Sequence, residues 1–475
     1  MRYEELKQKY PKFVYQKYSY QISGKNLEIF FDFRIEPDIY FKPKVIIENI
    51  EKPQNLNNLI FHLGLIEMIS YWKATCSPEI IIKAGSLSKE QIRWWKDLIM
   101  QGLGQFFYEN KIPFQKPKII SHGNKYTGVE LLPSLLKDKY LVPVGGGRDS
   151  VVTLEIFKKA RKNIKCFSLN PTEAALKIMK MASTGSPQIA GCKKLVIVRR
   201  KIDEKLLELN RQGFLNGHTP FSAYLAFLSV LVATIFGQRY IAFSNERSSN
   251  EGNVKYLGKV INHQWSKSFD FEKKFRDYCQ KYLTPVVKED KSSFPPSLPQ
   301  SGSSVVEYFS FLRPLYEIQI AKLFSKYSRY FSAFLSCNVA YQTASGTKKP
   351  TKKWCGNCPK CLFVFATLYP FVDGKELLRI FRKNLFEDQN LLTVMLELIG
   401  ERKFKPFECV GTKKESLIAF YLSWKKVKRV GVSSPIPFLL NYFEKKILPK
   451  YLRLEKDSKK ILNSWNNQHN LPKNF

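Results

Sequence analysis

The stretch YLVPVGGGRDSVVT, Tyr140–Thr153, narrows the fold more than any other. A short apolar run (Leu141, Val142, Val144) is followed by three glycines, then by Arg148, Asp149 and Ser150 at the head of a helical pattern. Strand, glycine turn and helix N-terminus in that order make an anion site. Glycine lets the backbone approach a phosphate with no Cβ in the way. The first N–H groups of the helix lack intrahelical partners and, with the helix dipole, favour negative charge. The spacing fits neither G-x-x-x-x-G-K-[ST] nor G-x-G-x-x-G. A glycine turn that only joins strand to helix would use the same residues, so the rest of the chain has to decide.

From Tyr140 onward, short apolar runs alternate with helical segments. Strands are expected at Tyr140–Val144, Lys165–Leu169, Leu195–Arg199 and Tyr240–Phe243. Helices are expected at Ser150–Arg161, from Asn170-Pro171 with Asn170 as N-cap, and from Thr219-Pro220 to Phe236, closed by Gly237. This rhythm predicts an α/β fold, a parallel sheet with helices on both faces. Such sheets bind ligands at the carboxyl ends of their strands. Those ends carry Gly145–Ser150, Asn170–Glu173, Arg199–Asp203 and Ser244–Glu251.

Upstream, Lys12–Ser19, Leu27–Arg34 and Lys44–Asn49 alternate as antiparallel strands. Leu59–Trp72 and Lys89–Phe107 have helical spacing, with a short strand at Ile80–Lys83 between them. The domain expectation is therefore an α+β N-terminal domain over 1–138, the α/β domain over 139–370 and a helical C-terminal region over 371–475. The Ser- and Pro-rich segment 286–304 reads as a surface loop, helix resumes at Pro314–Lys326, and the polar C-terminal tail is expected to fray. Trp94 and Trp95 read as packing residues.

At 475 residues and 44% hydrophobic, the chain can bury more than one core and is neither disordered nor fibrous in composition. Its charged first residues, MRYEELKQKYPKF, do not form a secretory signal. Phe221–Phe236 carries no charge, but it is shorter than the roughly 20 residues of a membrane span and reads as a buried helix. Nine cysteines without a signal do not suggest a disulfide framework, so a cytoplasmic protein with no membrane span is expected. Lys plus Arg outnumber Asp plus Glu by 77 to 41. That balance speaks to partners rather than fold. The lysines are spread along the chain and no nucleic-acid module signature occurs, which disfavours nucleic acid. A polyanionic small substrate or a general lysine bias accounts for the charge.

Three groups of residues carry chemistry. The segment Ser244–Lys267 concentrates Glu246, Arg247, Glu251, His263 and Lys267 after a buried strand. Glu246 and Glu251 are candidates to hold Mg²⁺, and His263 to move a proton. Asn216–Pro220 places His218 at a second helix N-terminus, where a plain cap is the simpler reading. Cys355, Cys358 and Cys361, at two-residue spacing, can converge on one metal ion with Cys337 as the fourth ligand. Closed thiolate sites of this kind are typical of structural Zn²⁺, with an iron–sulfur cluster as the competitor. Cys76, Cys166, Cys192 and Cys279 read as small buried hydrophobes. Cys409, in the turn-like KPFECVGT, is a candidate catalytic thiol.

The loop VPVGGGRDS resembles the S-G-G-x-D-S loop of the ATP pyrophosphatase (PP-loop) enzymes, with Gly145 where that pattern has Ser. One hydroxyl contact to pyrophosphate is thereby missing. Joined to the cysteine cluster, it resembles the cyano-deazaguanine synthase branch. The resemblance is closer to the ATP-dependent epimerases that convert UDP-N-acetylmuramoyl-L-alanyl-L-glutamate to its D-glutamate form. The segments Phe61–Ala74, Val142–Ser150, Ser244–Glu272, Ser310–Phe324, Lys353–Phe365 and Lys405–Thr412 carry it in order.

What this implies is a PP-loop fold, ATP, Mg²⁺ and structural Zn²⁺, with a UDP-muramoyl dipeptide as substrate. Gly145, Gly146, Gly147, Arg148, Asp149, Ser150 and Asn170 would bind ATP. Glu246 or Glu251 would carry Mg²⁺. Arg247 and Lys267 would neutralise developing charge, and His263, Lys267 and Cys409 are the proton-transfer candidates. A PP-loop enzyme modifying tRNA or a nucleobase, and a zinc-stabilised nucleic-acid binder, are the alternative readings.

Overall fold

The computed structural model describes residues 3–50, 56–114, 116–122, 136–183, 195–283, 306–341, 353–430 and 435–473. The chain opens with a long hairpin, β1 (Lys12–Ser23) and β2 (Asn26–Glu36), paired antiparallel. Alternation along β2 sends Leu27, Ile29, Phe31, Phe33 and Ile35 inward. There follow β3 (Ile39–Phe41), β4 (Lys44–Ile47), β5 (Glu79–Ile82) and β6 (Lys118–Ser121). The central strands are β7 (Lys137–Pro143), β8 (Ile164–Leu169), β9 (Val196–Lys201) and β10 (Gln238–Glu246). A separate hairpin, β11 (Val254–Tyr256) and β12 (Lys259–Ile261), precedes β13 (Glu307–Leu312).

Among the described residues, eleven strands make one mixed sheet in the order β13-β10-β7-β8-β9-β4-β2-β1-β5-β6, with β3 paired to β2. The expected parallel arrangement holds from β13 through β9. At β9 the sheet does not end. β4 joins it antiparallel, with Ile46 opposite Arg199 and Ile47 opposite Val198, so the ladder continues into the N-terminal strands.

Both faces of the parallel part are covered, and strand alternation shows how. Leu141, Phe167, Ile241 and Phe243 enter one core with the apolar helix Phe221–Ile235. Tyr140, Val142, Cys166, Tyr240 and Ala242 enter the other, with helix Arg148–Lys159 and the C-terminal helices. A strand buried on both sides reads as a continuous apolar run, which is the pattern at β7 and β10. No helix among the described residues is long and apolar enough to cross a membrane.

Several expectations need correction. Asn170 is not a helix cap. It has φ +43°, and its side chain clamps the Arg200 backbone, donating to the carbonyl at 3.0 Å and accepting from the N–H at 2.9 Å. The helix starts at Glu173, after Thr172, whose Oγ1 accepts from Ala175 N at 3.1 Å. The span Lys89–Phe107 is two helices, Lys89–Gly102 and Gly104–Glu109. Strand β13 had no counterpart in the sequence reading. Cys166 is buried as expected but is disulfide-bonded. The tail does not fray over its described length. Gln319 donates to the Ser464 carbonyl at 2.8 Å and Asn470 to Glu272 at 2.8 Å. The segment 286–304 and Cys192 lie outside the described residues.

Candidate active site

The glycine turn sits at the carboxyl end of β7. Gly147 caps helix Arg148–Lys159. Gly146 has φ +91°, and a Cβ there would come within 2.8 Å of Ala175 N, so only glycine fits. A Cβ on Gly145 would meet nothing within 4 Å among the described residues. The turn therefore packs its middle residue against the protein and leaves the first facing open space. Ser150 Oγ accepts from Gly145 N at 3.3 Å and ties the turn to the first helical turn. Arg148, expected among the phosphate ligands, points inward. It is 2% exposed, forms an ion pair with Glu317 and donates to Thr367 Oγ1 at 2.7 Å.

Three carboxylates meet beside the turn. Asp149 follows Gly147 and Arg148, Glu246 ends β10, and Glu317 opens helix Glu317–Phe324 beyond β13. One oxygen from each lies within 4.8 Å of the others. Glu317 is balanced by Arg148 and by Lys360 Nζ at 3.8 Å. Glu246 Oε1 is buried without a hydrogen-bond donor among the described residues. Burial, then the Glu317 charge, pushes Glu246 up to about 8 and Asp149 up to about 6. Three acids in so little space cannot all ionise cheaply unless a cation joins them.

The backbone around Glu246 is held by Arg313, which is fully buried. Its guanidinium donates to the Glu246 carbonyl at 2.6 Å, to Ser249 Oγ at 3.0 Å and to the Lys267 carbonyl, and it pairs with Glu272 at 3.2 Å. One side chain thus fixes both the carboxylate and the lysine that face the site.

The second half of the site is a thiol, an imidazole and an ammonium. Lys267 Nζ lies 3.2 Å from Cys409 Sγ, and Cys409 Sγ lies 3.9 Å from His263 Nε2. His263 Nδ1 contacts Gln105 Oε1 at 2.5 Å. Burial, then the Lys267 charge, lowers His263 to about 3, so the ring is neutral. Lys267 is raised despite burial, through Cys409 and Glu246. The His218 ring packs 4.7 Å from that of His263. Glu408 is pushed up to about 7, by burial and then by Cys409.

Arg247 and Glu251 stand outside these two groups. Arg247 lies over the Tyr316 ring at 4.3 Å. Glu251 Oε1 accepts from Lys405 Nζ at 3.0 Å and from Lys413 N at 2.9 Å.

Cys337, Cys355, Cys358 and Cys361 converge and could hold a metal ion. Cys337 Sγ is 3.9 Å from Cys358 Sγ, and Cys355 Sγ is 3.6 Å from Cys361 Sγ. Cys358 caps helix Pro359–Leu368, with Pro359 in its first turn. The cluster touches the site from behind. Leu335 N donates to the Gly146 carbonyl at 2.9 Å, Asn338 bonds Glu408, and Lys360 donates to the Cys409 carbonyl.

The comparisons with known proteins bear on all of these segments together. Residues 4–288 match the family description MurL N-terminal domain, and residues 333–433 match MurL C-terminal domain. A protein of Xanthomonas oryzae pv. oryzae named UDP-N-acetyl-alpha-D-muramoyl-L-alanyl-L-glutamate epimerase is 33% identical over 370 residues, 77% of this chain and 75% of that one. Proteins of the same name from Micromonospora sp. and Salinispora tropica are each 31% identical, over 77% and 78% of this chain and 75% and 74% of their own lengths. The chain belongs to the MurL epimerase family.

For a MurL family member, the sequence reading found the glycine turn, the cysteine cluster and the His263–Lys267–Cys409 group. It passed over Glu317, Arg313, Lys360 and Gln105 as site residues. Arg313 and Glu317 stand in SFLRPLYEIQ, where a buried Arg and Glu flank a turn between two apolar runs. Two charges set within otherwise apolar runs were the available signal. Gln105 lies in an amphipathic stretch and gives none.

Proposed function

We propose that this chain epimerises the terminal L-glutamate of UDP-N-acetylmuramoyl-L-alanyl-L-glutamate to D-glutamate, for peptidoglycan synthesis, by ATP-driven adenylation. The observation that carries the reading is the meeting, on one rim, of an open glycine turn at a helix N-terminus with the Lys267–Cys409–His263 group. The name shared by the three relatives supplies the substrate. Three strand ends, those of β7, β10 and β13, build the rim, in keeping with a PP-loop arrangement for 139–370. Cytoplasmic ATP and nucleotide-linked precursors suit such a reaction.

The Cα proton of a glutamyl residue beside an ionised carboxylate is very weakly acidic, because the carbanion would form next to a negative charge. Transfer of AMP to that carboxylate, with loss of pyrophosphate, removes the charge and gives a carbonyl that can stabilise an enolate. Gly145, Ser150 and the first N–H groups of helix Arg148–Lys159 would receive the phosphates. Lys267 would stabilise negative charge that develops on the carbonyl or phosphate. His263, neutral and with Nε2 facing the site, and Cys409 are placed to handle protons. Inversion follows when the proton returns from the opposite face, and hydrolysis releases the product.

Asp149, Glu246 and Glu317 would hold Mg²⁺, which takes carboxylate and phosphate oxygens. Glu246 Oε1, without a donor among the described residues, fits that role. The ion would neutralise phosphate charge during AMP transfer. The four cysteines fit structural Zn²⁺. A tetrahedral ion with Zn–S bonds of about 2.3 Å sets its sulfurs roughly 3.8 Å apart, and the contacts here are 3.6 and 3.9 Å. Its task would be to hold Leu335, Asn338 and Lys360 against the site.

The test is chiral analysis of glutamate recovered from the UDP-muramoyl dipeptide after incubation with and without ATP. D-Glutamate with matching AMP and pyrophosphate, only when ATP is present, is the expected result. Epimerisation without ATP would sink the adenylation step.

A further inference from the structure

Among the described residues, Cys409 is the one free cysteine outside the four-cysteine cluster that is not buried. Its surroundings are those of a nucleophile. His263 Nε2 is 3.9 Å from the sulfur. Gln105 Nε2 donates to Glu109 Oε1 at 2.8 Å, which turns Gln105 Oε1 toward His263 Nδ1 as an acceptor. The proton of the neutral ring therefore sits on Nδ1, and Nε2 offers its lone pair to the thiol. A nucleophile, a base within reach and a third side chain that orients the base are the parts of an acyl-transfer centre. Lys267 Nζ lies 3.2 Å from the sulfur on the other side.

The neighbouring groups are set for a ligand. Glu246 is 2% exposed, and among the described residues its Oε1 and the buried His218 Nδ1, next to His263, have no hydrogen-bond partner. Lys267 Nζ contacts the thiol, and Cys409, Glu246 and Asp149 all favour its charged form. An acyl group activated at the glycine turn would thus be within the field of the same ammonium that serves the sulfur.

We propose that Cys409 is a covalent nucleophile, which takes the glutamyl group from the adenylate as a thioester, and that the proton exchange at Cα takes place on this thioester. The proposal rests on the adenylation reading above. Cys409 Sγ attacks the carbonyl carbon of the adenylate, and the thiol proton passes to His263 Nε2. The bond from that carbon to the phosphate oxygen breaks, and AMP leaves with the electron pair. Sulfur shares its lone pair poorly with a carbonyl, so the Cα proton stays acidic after AMP has gone. His263 hands the thiol proton on to the departing phosphate, and its Nε2 then takes the Cα proton. Lys267, later recharged by the attacking water, returns one from the opposite face. Once the centre has been reprotonated, water attacks the thioester carbon and the carbon–sulfur bond breaks. The sulfur recovers its proton from His263, and the carboxylate is regenerated.

The test traps the intermediate in the wild-type enzyme. ATP, Mg²⁺ and UDP-muramoyl dipeptide labelled in its glutamate are mixed with excess enzyme and quenched in acid across a single turnover. The expected result is label that stays with the denatured protein and is released by neutral hydroxylamine. Peptide mapping should place it on Cys409, with the mass of the substrate less one water. Cys409→Ala should retain measurable substrate-dependent exchange of pyrophosphate into ATP while epimerisation falls about a thousandfold. Formation of AMP and D-glutamate with no protein-bound label at any time would overturn the thioester and leave adenylation standing. So would a Cys409→Ala enzyme that epimerises at the wild-type rate. Absence of both pyrophosphate release and exchange in the wild type would overturn the two readings together.

Discussion

Arg313 and Glu246 meet through the main chain, with Arg313 Nη1 donating to the Glu246 carbonyl at 2.6 Å while the Glu246 carboxyl faces Asp149 and Glu317. The arginine therefore positions the acid without neutralising it by a direct ion pair. Its own charge is met by Glu272, 1% exposed. Arg313→Met should strand that carboxylate in the interior and cost about 3–5 kcal/mol. A lowered urea midpoint, followed by circular dichroism, is the check.

The glycine turn separates folding from binding. Gly146→Ala forces a side chain into a left-handed backbone 2.8 Å from Ala175 N, and should destabilise by about 1–3 kcal/mol. Gly145→Ala points its methyl into open space, so thermal unfolding should match the wild type. Its KM for ATP should rise about tenfold or more, a loss of roughly 1.4 kcal/mol of binding. A Gly145→Ala enzyme with normal ATP kinetics would remove the turn from the phosphate site.

The carboxylate trio makes stability depend on pH. A carboxyl whose folded pKa lies above its unfolded value binds its proton more tightly in the fold. That stabilisation is complete below the ordinary value of 4.5 for Glu246 and is lost as pH rises through about 8. For Asp149 the window runs from 3.8 to about 6. Metal-free protein should lose on the order of a few kcal/mol between pH 5 and pH 8 through these groups. Glu246→Gln, neutral throughout, should flatten the upper part of that profile, and Mg²⁺ should restore stability at pH 8. Thermal scans across pH measure all three.

Two glutamates in the same polar segment should behave differently toward Mg²⁺. Glu246→Gln removes a member of the trio and should raise the Mg²⁺ concentration needed for half-maximal pyrophosphate release at least about tenfold. Glu251 is engaged by Lys405 and Lys413, so Glu251→Gln should leave that concentration unchanged. Equal Mg²⁺ dependence in both variants would argue against the trio as the ion site.

Metal analysis should find one zinc and no iron per chain. Extraction by a strong chelator, or Cys358→Ser, should lower the melting temperature and abolish epimerisation together. Cys358 caps helix Pro359–Leu368, whose Lys360 donates to the Cys409 carbonyl. Full activity in a zinc-free preparation would separate the cluster from the site.

What the sequence revealed follows from the range of each interaction. The apolar helix Phe221–Ile235 was legible because Pro220 and Gly237 mark its ends within one short window. The cysteine cluster was legible because three of its sulfurs lie on one turn of chain. Glu317 and Gln105 were not, since each acquires its role from a partner far along the chain: Arg148, 169 residues away, and His263, 158 residues away. The Arg148 side chain turns inward for a related reason. An arginine at a phosphate-like turn suggests an anion, but the buried Glu317 claims it first. The antiparallel step from β9 to β4 had no local sign, because strand alternation specifies faces and not neighbours.

The ladder between β4 and β9 has a practical consequence. Gln105 is supplied from one side of that seam and the glycine turn from the other, yet a continuous run of backbone bonds makes them parts of one rigid plate. Separating the chain near residue 138 would unpair β4 from β9 and leave two strand margins with open backbone groups, each a template for clumping. Fragments made that way should be expressed together, so that each covers the raw margin of the other.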